Sequence, residues 1–467
     1  MSDDGDLSSD EESGPSHVSL LVTVISIAAF GGLWVAHDAN PGHKNLEVAF
    51  LMSQVVLISI IIWQACDPFA DAAQWIGKTF HIPGSVRGAT LDAIASSLPE
   101  LFTGVFFVLF AIWLGGDSQA EVQEEVGNGF GNAIATCAGS AVYNMILIPA
   151  FCALVISFYR PQRPTIDVDS EVISRDGMWF LGCSILLIFF LFGNEMYWWM
   201  GVFFLVLYAV YVYQLYSHAR DHRRAVKAIK DRLTHGSDLQ KETNNILEKL
   251  ESDGIQVSEE LIEDIRSGHD DEEEDDDEGA GIFFGYFEIS LTQMSAWIII
   301  LVSTIIAAAA CYWLVEVTLE TARVLAVPQF FVAVTLAAAA SSVPDTFLSI
   351  GAAMRGDDSG AVSNAFGSNI FDICICMAIP LLINSALLNW GAVPLTSNGQ
   401  PIAGLVDLRM LLAVLTVLTL AIMWHRQQLT RFKALVLCAL YGVFIAYAVA
   451  GSYGYSFWAW LTAQSGG

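Results

Sequence analysis

Positive charge is scarce in this chain. Its 21 lysines and arginines stand against 49 aspartates and glutamates, a formal net charge of −28 over 467 residues. Nucleic acid needs basic patches, so it is excluded as a partner. Paired thiolate spacing is missing too. The eight cysteines form no CxxC pair and no Cys/His cluster, which leaves zinc and copper without a scaffold. Cys66 is placed near a helix end, and the other seven fall in apolar segments, as buried free thiols do. Cys374 and Cys376 are two apart and therefore face different sides of a helix. The sequence has no Asn-x-Ser/Thr sequon, hence no acceptor for N-glycosylation. Also missing are the short alternating strands of a membrane β-barrel.

What the chain has in quantity is apolar length. It is 54% hydrophobic with a mean hydropathy of +0.53, and runs long enough to cross about 30 Å of hydrocarbon recur along it. The lipid bilayer is thus its solvent, and helices are its spans. They are predicted at about 18–36, 46–65, 84–114, 127–157, 177–194 and 197–216, then 288–317, 327–353, 358–385, 406–424 and 431–450. The first follows an acidic leader rather than the basic leader of a secretory signal, so it is read as a retained helix.

The expected fold class is an all-α polytopic membrane protein with ten core helices in two five-helix repeats plus one extra N-terminal helix. The acidic N-terminus covers 1–17 and the extra helix 18–37. One transporter half covers 46–216, with its repeat at 84–157. A loop at 217–285 leads to the second half at 286–451, whose repeat lies at 327–385, and a tail follows at 452–467. If the central loop is cytoplasmic, eighteen of the 21 basic residues lie on that side, and only Lys44, Arg323 and Arg409 oppose them. Both chain ends follow from this: N-terminus inside, C-terminus outside. Five helices being odd, the halves must enter from opposite faces, as inverted repeats do. Within the loop, Leu247, Leu250, Ile255, Leu261 and Ile265 suit short amphipathic helices. The acidic run Asp270–Glu278 lacks the glycine and spacing of an EF-hand and is read as a solvated tether.

The halves share residues. "TLDAIASSLPE", from Thr90 to Glu100, recurs as "TLAAAASSVPD" from Thr335 to Asp345, and "GSAVYN" at Gly139–Asn144 recurs as "GSNIFD" at Gly367–Asp372. Pro99 has no amide hydrogen and its ring crowds the carbonyl four residues back, so it predicts a helix break that frees backbone oxygens; Pro344 predicts another. Ser96, Ser97 and Glu100 stand beside the first, and Ser341, Ser342 and Asp345 beside the second. Exposed to lipid, such groups would cost several kcal/mol each; facing a polar cavity, they make a cage of hard oxygens. Calcium takes about six to eight of these at 2.3–2.6 Å, and Na⁺, of similar size, fits the same cage. Ser140, Asn144, Ser368, Asn369 and Asp372 on the following helices would complete the shell. The bland alternative for one motif alone, a kink with back-bonded serines, is weakened by the repetition and by the cost of intramembrane carboxylates.

These motifs resemble the α-repeats of the cation/Ca²⁺ antiporter superfamily, with "IPGSVRGATLDAIASSLPELFTG", "GSAVYN", "SVPDT" and "GSNIFDI" most similar to the K⁺-dependent Na⁺/Ca²⁺ exchanger branch. "ACDPF" at Ala65–Phe69 resembles a Cys-Asp pair preceding the first repeat there. The resemblance implies alternating access driven by a Na⁺ gradient, a plasma (cytoplasmic) membrane location, no enzymatic activity and no cofactor. It implies that Glu100 and Asp345 bind Ca²⁺ and Na⁺ in turn, that Ser96 and Ser341 lend carbonyls, and that Ser97, Ser342, Ser140 and Ser368 lend hydroxyls. Asn144 and Asp372 complete the central site, and an acid at the Asp372 position is associated with K⁺. Charge counting agrees: Glu100, Asp345 and Asp372 together balance Ca²⁺ plus K⁺, whereas Ca²⁺ alone leaves a buried charge unless one carboxyl keeps its proton.

Three departures stand out. Ala95 and Ala340 replace a common glycine. Asp92 replaces an apolar residue, either as an acid on the access path or as a side chain snorkelling toward Arg87. The loop Gly115–Gly129 is long and acidic, with Asp117, Glu121, Glu124 and Glu125. The competing functions are Ca²⁺/H⁺ exchange, whose families usually carry Asn at the two proline positions, a passive Ca²⁺ channel, and a Ca²⁺ sensor built on the acidic loop.

Overall fold

The computed structural model describes residues 17–80, 88–114, 119–168, 173–233, 279–397 and 400–455. Within them the apolar runs form helices, since a backbone in lipid must satisfy its own hydrogen bonds. In chain order these are α1 (His17–Ala39), α2 (Lys44–Thr79), α3 (Ala93–Leu114), α4 (Gln119–Tyr159), α5 (Met178–Leu191) and α6 (Trp198–Leu233). After the central segment come α7 (Gln293–Leu325), a bent span of α8a (Gln329–Ser341) and α8b (Val343–Met354), α9 (Asp358–Leu387), α10 (Leu405–Trp424) and α11 (Arg431–Ser452). Among the described residues ten helices are long and apolar enough to span a bilayer, or eleven with the bent pair counted as one span. The chain is an integral, multi-pass, all-α membrane protein of two inverted five-helix repeats, α2–α6 and α7–α11, with α1 added. Its outward face is apolar, and α1 buries none of its most apolar stretch against the rest.

Four apolar clusters organise the interior, two of them smaller ones that join α2 to α3 and to the hairpin before α7. The largest joins α3–α6 to α8–α11 through side chains such as Phe107, Phe130, Phe180, Phe366 and Phe444. A second belongs mainly to α2 and α7: Leu51, Val55, Ile58, Ile62 and Cys66 against Ala310, Cys311, Leu314 and Val317. Trp313 donates its indole N–H to Gln54 Oε1 at 3.0 Å across that pair.

Short antiparallel strand pairs tie the loops. Ile166–Asp167, after α4, pairs with Gln428–Leu429, before α11. Glu195–Met196, before α6, pairs with Val393–Pro394, after α9. Each pair joins loops that the sequence topology places on one face. A hairpin of Gly279–Ile282 and Phe287–Ser290 closes the central segment, and it grips α2 where Gly281 N donates to Asp71 Oδ2 at 3.2 Å and Phe284 N to Gln64 Oε1 at 2.9 Å.

Several expectations are corrected. Helix α2 continues well past residue 65, so Cys66 is buried in its interior and not near its end. At 36 residues it is about 54 Å long, more than the hydrocarbon requires. Helix α6 likewise runs on to Leu233. The two prolines also differ. Pro344 follows a break at Ser342 (φ −84°, ψ 4°), and the halves of that span bend by 41°. Pro99 breaks nothing and sits inside a continuous α3. The residue after each carboxylate differs as well. Thr346 caps the Ser342 carbonyl twice, through its N–H at 3.2 Å and its hydroxyl at 3.0 Å. Leu101, at the equivalent position, has no hydroxyl to stabilise an opened turn.

The repeat is visible in the backbone as well. A π-helical turn precedes the motif in both halves, at Gly88–Asp92 and at Ala333–Ala337, which are equivalent positions. A further π turn, Asp372–Cys376, interrupts α9 with no counterpart at Asn144. The acidic N-terminus, the loop helices, the run Asp270–Glu278, Arg87, Asp117 and the tail beyond 455 lie outside the described residues, as do the side chains of Glu121 and Glu124.

Candidate functional site

Four helices meet at mid-chain positions because small residues let them. Gly139 brings α4 against the π turn of α8a so closely that a Cβ there would overlap Val334 O and lie 2.8 Å from Ala338 Cβ. Around this contact α3 presents Ser96, Ser97 and Glu100, and α4 presents Ser140 and Asn144. Ser341, Ser342 and Asp345 come from α8, and Ser368, Asn369 and Asp372 from α9. All eleven are 0% exposed, so whatever binds among them is fully dehydrated.

Ser140 is the hub. Its Oγ lies 3.1 Å from Glu100 Oε1, 2.9 Å from Asp372 Oδ2 and 2.9 Å from Ser342 Oγ. Ser342 in turn donates to Glu100 Oε1 at 3.1 Å, so the two halves share one carboxylate oxygen. Asp345 is held by Asn144 Nδ2 at 2.8 Å and by Ser368 Oγ at 2.8 Å. Ser96 Oγ reaches Ser368 Oγ at 3.3 Å. Ser97 faces Asp372, and its carbonyl accepts the Cys376 thiol at 3.4 Å. Ser341 bonds back to Ala338 O, and Asn369 Nδ2 donates to Ala141 O. The carbonyl of Pro99 takes the Cys311 thiol at 3.5 Å.

Acceptors outnumber donors here. Each serine carries one hydrogen, and those of Ser140 and Ser342 have more acceptors in reach than they can serve. Glu100 Oε2, Asp372 Oδ1, Asn144 Oδ1 and Asn369 Oδ1 are buried with no hydrogen-bond partner. Unpaired oxygens in a low-dielectric interior are costly, and a bound cation is the group that satisfies several at once. Among the described residues no three His, Cys, Asp or Glu side chains gather as around a resident metal; Ser140 links Glu100 to Asp372, and Asn144 contacts both Ser140 and Asp345. Because Ser140 touches two carboxylates, Ser140→Ala is expected to raise the apparent KM for the cation that fills the cage about tenfold or more without loss of the fold. An unchanged KM in flux assays would remove Ser140 from the site.

Asp92 ends the π turn before α3, eight residues and about 12 Å along the helix from Glu100, and is half-buried. Sequence reasoning missed Thr346, Tyr143, Ser349 and Asn364. The signal was present: Thr346 and Asn364 stand four residues from Ser342 and Ser368, one turn away on the same helix faces.

An inverted pair of five-helix repeats enclosing a dehydrated oxygen cage at its centre defines a cation-transporter class of membrane protein. The chain belongs to the family described as sodium/calcium exchanger protein, which it matches over residues 50–217 and 295–450, and within the cation/Ca²⁺ antiporter superfamily it stands near the K⁺-dependent branch. It is similar to human sodium/potassium/calcium exchanger 5, at 24% identity over 422 residues covering 79% of this chain and 76% of that one. A shorter match links it to mouse sodium/potassium/calcium exchanger 4, 28% identical over 165 residues, 35% of this chain and 24% of that one. Among solved structures its fold is similar to that of the H⁺/Ca²⁺ exchanger CAX, with a TM-score of 0.53 at 14% identity, covering 94% of this chain and 95% of that one.

Proposed function

We propose that this protein is a Na⁺-driven Ca²⁺ antiporter that moves K⁺ together with Ca²⁺ by alternating access, with Glu100 and Asp345 as the carboxylates that Ca²⁺ and Na⁺ occupy in turn. The observation that carries the reading is the buried cage itself: eleven oxygen-bearing side chains from both halves, with unpaired carboxylate and amide oxygens, at full burial. Ser97, Ser140, Ser342 and Ser368 supply hydroxyl ligands, Ser96 and Ser341 backbone carbonyls, and Asn144 and Asn369 amide oxygens. Asp372 is the K⁺-associated acid. Its charge with those of Glu100 and Asp345 matches Ca²⁺ plus K⁺, so full occupancy leaves no net buried charge, the condition a low-dielectric site favours most. The membrane is the plasma membrane and the central loop is cytoplasmic, a reading supported by the excess of Lys and Arg on that side.

Calcium flux into sealed vesicles is the test. Uptake that requires Na⁺ on the side opposite Ca²⁺ is expected. A likeness of fold to an H⁺/Ca²⁺ exchanger makes proton exchange the second reading, and equal uptake driven by a pH gradient without Na⁺ would favour it. Flux with no counter-ion at all would favour a channel. Removing K⁺ is expected to reduce exchange at least several-fold, and Asp372→Asn to abolish that K⁺ dependence; undiminished exchange without K⁺ in the unsubstituted protein would remove the assignment of Asp372.

A further inference from the structure

Outward from the cage toward each face, repeat-related positions carry different chemistry. Toward the face that carries the central segment, the chain continues from Asp345 to Thr346 and, one turn on, Ser349. Thr346 Oγ1 lies 3.3 Å from the Tyr143 hydroxyl, and Tyr143 neighbours Asn144 on α4. Asn364 Nδ2 donates to Ser349 Oγ at 2.9 Å, and Asn364 stands one turn before Ser368 on α9. Oxygens and amides therefore succeed one another outward: Asp345 with Ser368, Thr346 with Tyr143, Ser349 with Asn364.

Toward the other face the equivalent positions are Leu101 for Thr346, Phe371 for Tyr143, Gly104 for Ser349 and Thr136 for Asn364. Only Thr136 is polar, and its hydroxyl is turned back to Asn132 O at 3.0 Å. Gly104 closes the packing: a Cβ there would lie 3.1 Å from Pro380 Cγ and 3.3 Å from Cys376 O. Thr103, one residue from Gly104, is fully buried beside Cys311, and Asn132, bonded to Gln329 at 2.9 Å, lies two turns of α4 or about 12 Å from Ser140.

We infer that Tyr143, Thr346, Ser349 and Asn364 form a polar half-route that hands a cation between the cage and water on the central-segment face, and that the repeat-equivalent positions, among the described residues, form no such ladder toward the other face. A cation stripped of water needs replacement oxygens at each step, and only one side offers them in succession. These are positioning residues, acting before and after the cage binds its ion. The inference rests on the exchange reading above.

Apparent KM for Ca²⁺ measured separately at each face, in vesicles sorted by orientation, tests it. Tyr143→Phe, Ser349→Ala and Thr346→Val are each expected to raise KM about three- to tenfold at the central-segment face and less than about twofold at the other. Thr346→Ser, which keeps the hydroxyl, should restore the unsubstituted value. If Thr346→Val does not fold, Tyr143→Phe and Ser349→Ala carry the same comparison. Equal shifts at both faces, or none at either, would overturn the inference while Na⁺-driven exchange persists. Loss of Na⁺ dependence in the unsubstituted protein would instead overturn the exchange reading.

Discussion

Glu100→Gln and Asp345→Asn are each expected to lower Ca²⁺ transport to about one hundredth of the unsubstituted rate or less, with the protein still folded. Both substitutions keep volume and shape, so packing is spared and charge alone is removed. Glu100 Oε1 is already engaged by Ser140 and Ser342, whereas Oε2 has no partner. An amide in this place replaces one oxygen with a donor that a cation repels. Removing one charge from a buried, matched set costs roughly 3–5 kcal/mol, a factor of about a hundred to several thousand. For Asp345 both oxygens are held, by Asn144 and Ser368, and an Asn side chain must turn one amide hydrogen pair toward a neighbouring donor. Flux assays and calorimetric Ca²⁺ titration of the purified variants check this. Unsubstituted Ca²⁺ affinity in either variant would show that the carboxylates are not ligands.

Gly139→Ala is expected to destabilise the protein by about 3 kcal/mol or more and to remove transport. The added methyl overlaps a backbone oxygen, that of Val334, and no rotamer relieves a clash between a Cβ and main chain. Helix α4 must then draw away from the π turn of α8a, opening the Ser140–Ser342 contact that joins the halves. Overpacking at rigid contacts costs about 1–3 kcal/mol where side chains yield, and here nothing yields. A thermal melt in detergent checks it; an unchanged melting temperature would mean that the helices separate freely. Gly367, the equivalent glycine, has nothing within 4 Å of its would-be Cβ, so Gly367→Ala is the tolerated control. The same residue type at the same motif position thus has opposite structural weight in the two halves.

That contrast indicates what was legible in the sequence. All eleven spans were, because a period-free apolar run of sufficient length has one stable outcome in lipid. The eleven cage residues were also visible, since repeated carboxylates and hydroxyls inside apolar helices stand out against their surroundings, and the structure brings them together. What the motif could not convey was asymmetry. The prolines predict two breaks, and the structure makes only one, before Pro344. Helix ends were misjudged at α2 and α6, where polar and small residues continue the helix beyond the hydrocarbon. Hydropathy reports where lipid stops, not where a helix does. The rungs Tyr143–Thr346 and Ser349–Asn364 lie across sequence separations of 203 and 15 residues, and nothing local marks them as pairs.

Helices α2 and α7 share a small cluster but are also built into the rest: Val315 of α7 lies in the largest cluster, and Phe69, Ala70 and Ala73 of α2 pack with Ala95 and Leu98 of α3. Strand pairs fasten the α4–α5 loop to the α10–α11 loop and the α5–α6 loop to the α9–α10 loop. Cys311 of α7 touches the Pro99 carbonyl beside the cage, so the helix that shares its core with α2 also forms part of the wall behind Glu100.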